Sequence, residues 1–204
     1  MKVCLISLGC DKNLADSEIM ISILHERGHT VVELEEEAEA IVINSCCFIN
    51  DAKEESINTL LEMAELKNNG EIKLLVAAGC LAQRYKEEIQ TEIPEVDVII
   101  GTTAIGGIVE AIDNALQGSC KNFYADLNEK PLTGVKRVVT TGGHFAYLKI
   151  AEGCNKHCTY CIIPKVRGDF RSVPMENLVQ EAKELAEKGV KELILVAQET
   201  TLYG

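Results

Sequence analysis

The sequence predicts an α/β protein: a doubly wound, mostly parallel sheet over residues 1–118, then the truncated start of a βα barrel. Three observations predict it. Short apolar runs alternate with longer segments of helical spacing through residue 118. A stretch holding glycine and proline then interrupts the alternation. One more strand–helix–strand pattern follows before Gly204.

Lys2–Leu8 is a near-continuous apolar run of strand length, which predicts a buried strand. Leu14–Arg27 has helical spacing, and Gly28 is a natural stop. Thr30–Leu34 is a second, shorter strand and Ala40–Asn44 a third. Asp51–Lys67 is a helix, followed by the turn residues Asn68-Asn69-Gly70. Ile72–Ala77 is a strand and Leu81–Thr91 a helix. Val96–Ile100 is a strand, and Thr103–Leu116 a helix ending near Gly118. Residues 119–144 contain Pro131, Gly134 and Gly142-Gly143, with β-type residues Arg137–Thr141 between them, which predicts a linker with a short hairpin. Phe145–Ala151 is then a strand, Val173–Lys188 a helix and Glu192–Ala197 a strand. The domains fall at 1–118 and 140–204, joined by a linker at 119–139. A βα barrel of ordinary size needs about 250 residues, so the second domain is expected to be the N-terminal part only.

Of the 204 residues, 47% are hydrophobic and 25% charged, a globular composition. No apolar run approaches the ~20 residues of a membrane span. The run Val3 to Gly9 ends at Cys10, as a lipoprotein signal does, but it is at the bottom of the ~7–15 residues expected of a signal's apolar region, only Lys2 precedes it, and a first strand fits better. A cytoplasmic protein with no membrane partner is expected. Nine cysteines in a reducing cytosol point to metal binding or catalysis. The net charge of −12 is uneven: residues 1–118 carry 8 basic and 22 acidic side chains, residues 119–204 carry 12 and 10. An acidic first domain is a poor nucleic-acid footprint. It suits a basic protein partner, or serves as a solvated surface.

Cys154-Asn155-Lys156-His157-Cys158-Thr159-Tyr160-Cys161 directly follows an expected strand. In a βα fold, sites are built on such loops. Three thiolates at this spacing can converge on one cluster. A [4Fe–4S] cluster normally takes four cysteines, so three leave one iron open to a small molecule. Tyr160 is placed to stack on an adenine. A zinc site with His157 as fourth ligand is an alternative, awkward because His157 adjoins Cys158. Inert buried thiols are another. A second set is distributed: Cys10, Cys46 and Cys80 each follow an expected strand. Strand ends of a parallel sheet share one edge, where crevices bind ligands. Gly9 and Gly79 precede two of these cysteines and permit close backbone approach. Cys4 reads as core, Cys47 is a neighbour easily mistaken for Cys46, and Cys120 falls in the linker. His25, His29 and His144 read as surface or capping residues.

These motifs resemble the methylthiotransferases of the radical S-adenosylmethionine superfamily over all 204 residues. In the first domain the likeness is carried by Ser7-Leu8-Gly9-Cys10-Asp11-Lys12-Asn13, Asp16-Ser17-Glu18, Asn44-Ser45-Cys46 and Gly79-Cys80-Leu81. In the second it runs from Glu152-Gly153-Cys154 through Cys161 to Pro164 and Arg167-Gly168. Residues 7–13, the stretch Phe48 to Ile57 and Gln198-Glu199-Thr200-Thr201 with Tyr203-Gly204 resemble the branch that modifies an aspartate of the twelfth small-subunit ribosomal protein. The sister branch modifies an adenosine of tRNA, and reads differently at residues 8–13. Asp11 and Cys47 depart from the pattern, which usually has proline and glycine there.

The resemblance implies two [4Fe–4S] clusters. One sits on Cys154, Cys158 and Cys161, binds S-adenosylmethionine and cleaves it to a radical that takes hydrogen from the aspartate β-carbon. The other, on Cys10, Cys46 and Cys80, carries the sulfur that a second S-adenosylmethionine methylates. Gln198 and Glu199 are expected to hold the cofactor's amino group, with Tyr160 beside it. A ribosomal protein substrate and an electron donor are the expected partners; tRNA is not. A tRNA-modifying enzyme and a non-catalytic iron–sulfur or zinc protein are the alternatives. With the barrel only begun, the isolated chain is expected to be inactive.

Overall fold

β1 (Lys2–Ser7), β2 (Thr30–Val32), β3 (Ala40–Ser45), β4 (Leu74–Ala78) and β5 (Val98–Ile100) form one sheet in the order β2-β1-β3-β4-β5, every pair parallel. They belong to a computed structural model that describes residues 1–119 and 122–204; Cys120 lies outside the described residues. The strands form where the chain is almost continuously apolar, as strands buried on both faces require. Alternate residues serve opposite faces. Ala40 and Val42 pack under α1 (Asp11–Glu26) and α5 (Ile108–Leu116), with Met20, Leu24 and Ile112. Ile41 and Ile43 pack under α2 (Asn50–Asn68), α3 (Gly79–Arg84) and α4 (Lys86–Glu92), with Leu60, Leu81 and Ile89.

Three expectations need correction. The single helix over Leu81–Thr91 is broken at Tyr85, whose ψ of 37° leaves the helical region. Its side chain packs against the core beside Ile89, so packing overrides local propensity there. No hairpin forms around Arg137–Thr141. The Val138 and Thr140 N–H groups donate to the carbonyl and carboxylate of Glu18 on α1 instead, at 3.4 and 2.6 Å. Phe123 pairs with Ile100, so the connecting stretch continues the sheet edge beyond β5. Finally, Phe145–Ala151 divides into β6 (Phe145–Lys149) and β7 (Ala151–Glu152), because the two halves pair with different partners.

β6 pairs in parallel with β9 (Glu192–Val196), and α7 (Met175–Glu187) crosses between them, packing Leu178 and Leu185 beneath. β7 pairs antiparallel with β8 (Arg171–Ser172) in the register Glu152 to Arg171. Between β7 and β8 the chain makes an excursion holding the three spaced cysteines and a short helix, α6 (Ile163–Arg167), that sequence periodicity does not reveal.

Candidate functional site

In a sheet of order 2-1-3-4-5 the connections change direction between β1 and β3, and ligand crevices open there at the carboxyl ends of the strands. All three distributed cysteines sit at that edge. Cys10 caps α1 after β1, Cys46 follows β3, and Cys80 lies in the first turn of α3 after β4. Gly9 has φ +91°, and a Cβ there would lie 2.4 Å from the Cys46 Cβ and 2.8 Å from its Sγ. Gly79 has φ +89°, and a Cβ there would meet the Ser45 carbonyl at 2.5 Å. Glycine therefore lets the three loops close on one another.

Two buried asparagines tie these loops together. Asn13 Nδ2 donates to the carbonyls of Leu8 and Ser45, both at 3.0 Å. Asn44 Nδ2 donates to the Asn13 carbonyl at 2.8 Å and to Ser17 Oγ at 2.9 Å. The Cys46 N–H donates to Ser56 Oγ at 2.9 Å. Cys47 turns the other way. Its Sγ lies in the core under α2 and donates to the Cys80 carbonyl at 3.3 Å. Burial pushes that thiol up to about 11. Cys4 is buried in the same core.

The second set is held by its own loop. The Cys154 N–H donates to the Gly168 carbonyl at 3.1 Å, and the Cys161 N–H to the Cys158 carbonyl at 3.0 Å. Asn155 Oδ1 accepts from the Phe170 N–H at 2.7 Å, fastening the loop across to β8. Cys154 is buried, Cys161 half-buried and Cys158 exposed. His157 is exposed beside them.

Both sets line one cavity of about 540 Å³. Cys10, Cys46 and Cys80 come from one wall, Cys154, Cys158 and Cys161 from the other. Phe48, Ile49 and Ile163 make its apolar parts. Among the described residues no three His, Cys, Asp or Glu side chains could hold a single metal ion. Six thiols around a space of this size fit a larger inorganic group. Gln198 also lines the cavity, and its Oε1 and Nε2 are buried without a hydrogen-bond partner. Buried amides are almost always paired, so these two atoms fit a polar ligand in the cavity. Glu199 instead accepts from Lys156 Nζ and from the Thr201 N–H and hydroxyl, which hold its carboxyl down at about 2. Tyr160, 89% exposed, stands at the rim.

Arg167 also lines the cavity, and sequence reasoning gave it no role beyond a motif position. Its guanidinium reaches Asn13 Oδ1 at 2.7 Å, Asp16 Oδ2 at 2.8 Å and Glu152 Oε1 at 3.2 Å. Lys149 Nζ pairs with the same two carboxylates, completing a balanced set of two cations and two anions. Burial opposes the Arg167 charge, and the Cys80, Glu152 and Asp16 groups around it outweigh that. Burial also pushes the Cys80 thiol up, with Arg167 opposing. A second buried pair lies nearby: Arg137 Nε is 3.0 Å from Glu18 Oε2, an ion pair without hydrogen-bond alignment, and its NH1 is 2.9 Å from Glu181. Asp16 and Glu18 on α1 thus clamp the first sheet to the β6–β9 unit. The structure buries Asn13, Asp16, Ser17 and Glu18 inside α1, and the sequence marks them only as polar residues of a motif. Buried charges need partners.

Comparison with known proteins bears on both halves. Residues 2–101 match the family described as "Uncharacterized protein family UPF0004", and residues 148–204 match the radical SAM superfamily. A curated relative from Lachnoclostridium phytofermentans, named ribosomal protein uS12 methylthiotransferase RimO, is 61% identical over the whole chain. One of the same name from Clostridioides difficile is 49% identical, again over the whole chain. The chain covers 46% of each, about half the length of these relatives. Among solved structures, a cobalamin-dependent S-adenosylmethionine radical enzyme, OxsB, superposes with TM-score 0.55 at 12% identity, over 97% of this chain and 34% of that one, a likeness of fold. Among the described residues no helix is long and apolar enough to cross a membrane.

Proposed function

This chain belongs to the radical S-adenosylmethionine methylthiotransferase family, and on that premise we propose that it methylthiolates the β-carbon of an aspartate in ribosomal protein uS12, as part of a chain of its relatives' length. The observation that carries the reading is the single cavity with three thiols on each of two walls. A site for radical formation alone needs one such set. A second set facing it supports sulfur insertion.

In this reading Cys154, Cys158 and Cys161 hold one [4Fe–4S] cluster, and Cys10, Cys46 and Cys80 the other. Cys154, Cys158 and Cys161 would hold a cluster able to pass one electron from an external donor to S-adenosylmethionine, and Cys10, Cys46 and Cys80 one able to offer sulfur. The chain's own residues bind, orient and exclude water. Gln198 offers an unpaired donor and acceptor to the cofactor's amino acid end. Glu199 lies beside it, braced by Lys156 and Thr201. Tyr160 offers a face for the adenine at the rim. Phe48, Ile49 and Ile163 keep the cavity apolar, which limits quenching by water. Arg167 lines the Cys80 side of the cavity, held there by Asp16, Glu152 and Asn13.

Two measurements test this. After anaerobic reconstitution the chain is expected to hold about 8 iron, and about 4 when Cys10, Cys46 and Cys80 are all Ala. Mass spectrometry of cells with and without the protein is expected to show a methylthio group on uS12 that depends on it. A dependent modification on tRNA alone, or full iron retention in the triple variant, overturns the reading.

A further inference from the structure

Beside the cysteine cavity, α2 and α4 enclose a groove of about 460 Å³. Ile57 and Leu61, one helical turn apart on α2, form one wall. Tyr85, Ile89 and Ile93 repeat that spacing along the other. Ile57 is 36% exposed and Leu61 46%. Ile49 and Phe48, 57% and 59% exposed, precede α2 and line the cysteine cavity. The first turn of α2 is a wall shared by both spaces: Ala52 lines the cysteine cavity and Lys53 the groove. Exposed apolar side chains such as Ile57 and Leu61 over an apolar groove floor mark an interaction site.

Charge at the groove is acidic on balance. Glu88 and Glu92 line it directly, against Lys53 as the one lining cation among the described residues. α2 carries five carboxylates against two lysines, and α4 three against one. Two copies of so acidic a face would repel each other, and a phosphate backbone would be repelled too. The complementary occupant is a cationic segment with apolar side chains at turn spacing.

We infer that this groove docks a basic, apolar-studded segment of the protein substrate and so delivers the neighbouring residue to the cavity mouth. The inference rests on the protein-substrate reading above and adds the surface that selects the substrate. Between Ala52 and Leu61, α2 rises about 14 Å. That is the reach of about four extended residues, so the docked segment lies a short way along the substrate chain from the modified residue.

The test uses purified ribosomal protein uS12 as the probe, titrated by fluorescence anisotropy against this chain. Three forms are compared: wild type, the double variant Ile57→Ser with Leu61→Ser, and the charge-reversal pair Glu88→Lys with Glu92→Lys. Circular dichroism and iron content after reconstitution confirm that each is folded. The wild type is expected to bind. Each double variant is expected to weaken binding about tenfold or more, the charge reversal with a shallower salt dependence, at unchanged iron content. Wild type and both variants binding equally overturns the groove while leaving the substrate reading standing. No binding of uS12 by wild type with its full iron overturns the groove, whereas the substrate reading falls only if uS12 in cells carries no methylthio group that depends on the protein. Sedimentation showing a wild-type dimer that Ile57→Ser with Leu61→Ser dissociates overturns the assignment in favour of a second copy.

Discussion

Arg167 donates to Asn13 Oδ1 at 2.7 Å, joining a helix beside the second cysteine set to the residue that ties the loops of the first. Asn13 spends its amide on the Leu8 and Ser45 carbonyls, so its oxygen is free for a donor from across the molecule. The same guanidinium answers Asp16 and Glu152. One side chain therefore links the two walls of the cavity.

Replacing Arg167 with Met removes that link. Asp16 and Glu152 are left with Lys149 as their one cation in the set, and a buried carboxylate without its partner costs about 3–5 kcal/mol. Urea unfolding is expected to show a loss of that order. Arg167→Lys is expected to restore only part of it, because an ammonium lacks the planar fork that meets Asp16 and Asn13 together. A variant as stable as wild type rules out the clamp.

Gly79→Ala is expected to separate the first cysteine set from the second. The added Cβ would lie 2.4 Å from Asn44 Oδ1 and 2.5 Å from the Ser45 carbonyl, at a φ that L-residues avoid. Strain of about 2 kcal/mol or more follows. Reconstituted iron is expected to fall by about half. Iron content equal to wild type contradicts the close packing of these loops.

Cys46 and Cys47 are adjacent, and only Cys46 lines the cavity. Cys47→Ala is expected to leave iron content and the iron–sulfur absorbance unchanged, whereas Cys46→Ala depletes the first set. Equal depletion by the two substitutions indicates that either thiol serves.

Tyr124 is expected to keep its phenol proton beyond the ordinary tyrosine range. Burial raises its phenol above the ordinary value, with Glu87 adding to the effect, and its hydroxyl donates to the Ala82 carbonyl at 3.2 Å. A raised phenol contributes stability that is intact below the unfolded value of about 10 and is lost as pH climbs toward the folded one. Phenolate absorbance is expected to show a late step, that of Tyr124, which appears only with alkaline unfolding. Tyr124→Phe is expected to remove that late step. A wild type without that late step contradicts the burial.

The strands of the first sheet are legible because burial on both faces demands continuous apolar runs, such as Ala40–Ile43 and Leu74–Ala78. α1 is less so: it begins at Asp11 and not at Leu14, because Asn13, Asp16 and Glu18 face partners distant in the chain and dilute the apolar spacing. The region around Arg137–Thr141 departs from its sequence pattern for a related reason. Its residues suit a strand, yet its hydrogen bonds go to Glu18.

The six cysteines that opened a functional reading were legible one set at a time. Spacing puts Cys154, Cys158 and Cys161 on one loop, and the rule that parallel strands end at a common edge gathers Cys10, Cys46 and Cys80. That much follows from local pattern, because it depends on strand order and chain direction alone. Only the tertiary structure decided that the two sets face one cavity, that Cys47 turns into the core, and that Arg167 spans the gap. Those outcomes depend on how a buried set of charges settles between two packed units, and pairing of that kind leaves no period in a sequence.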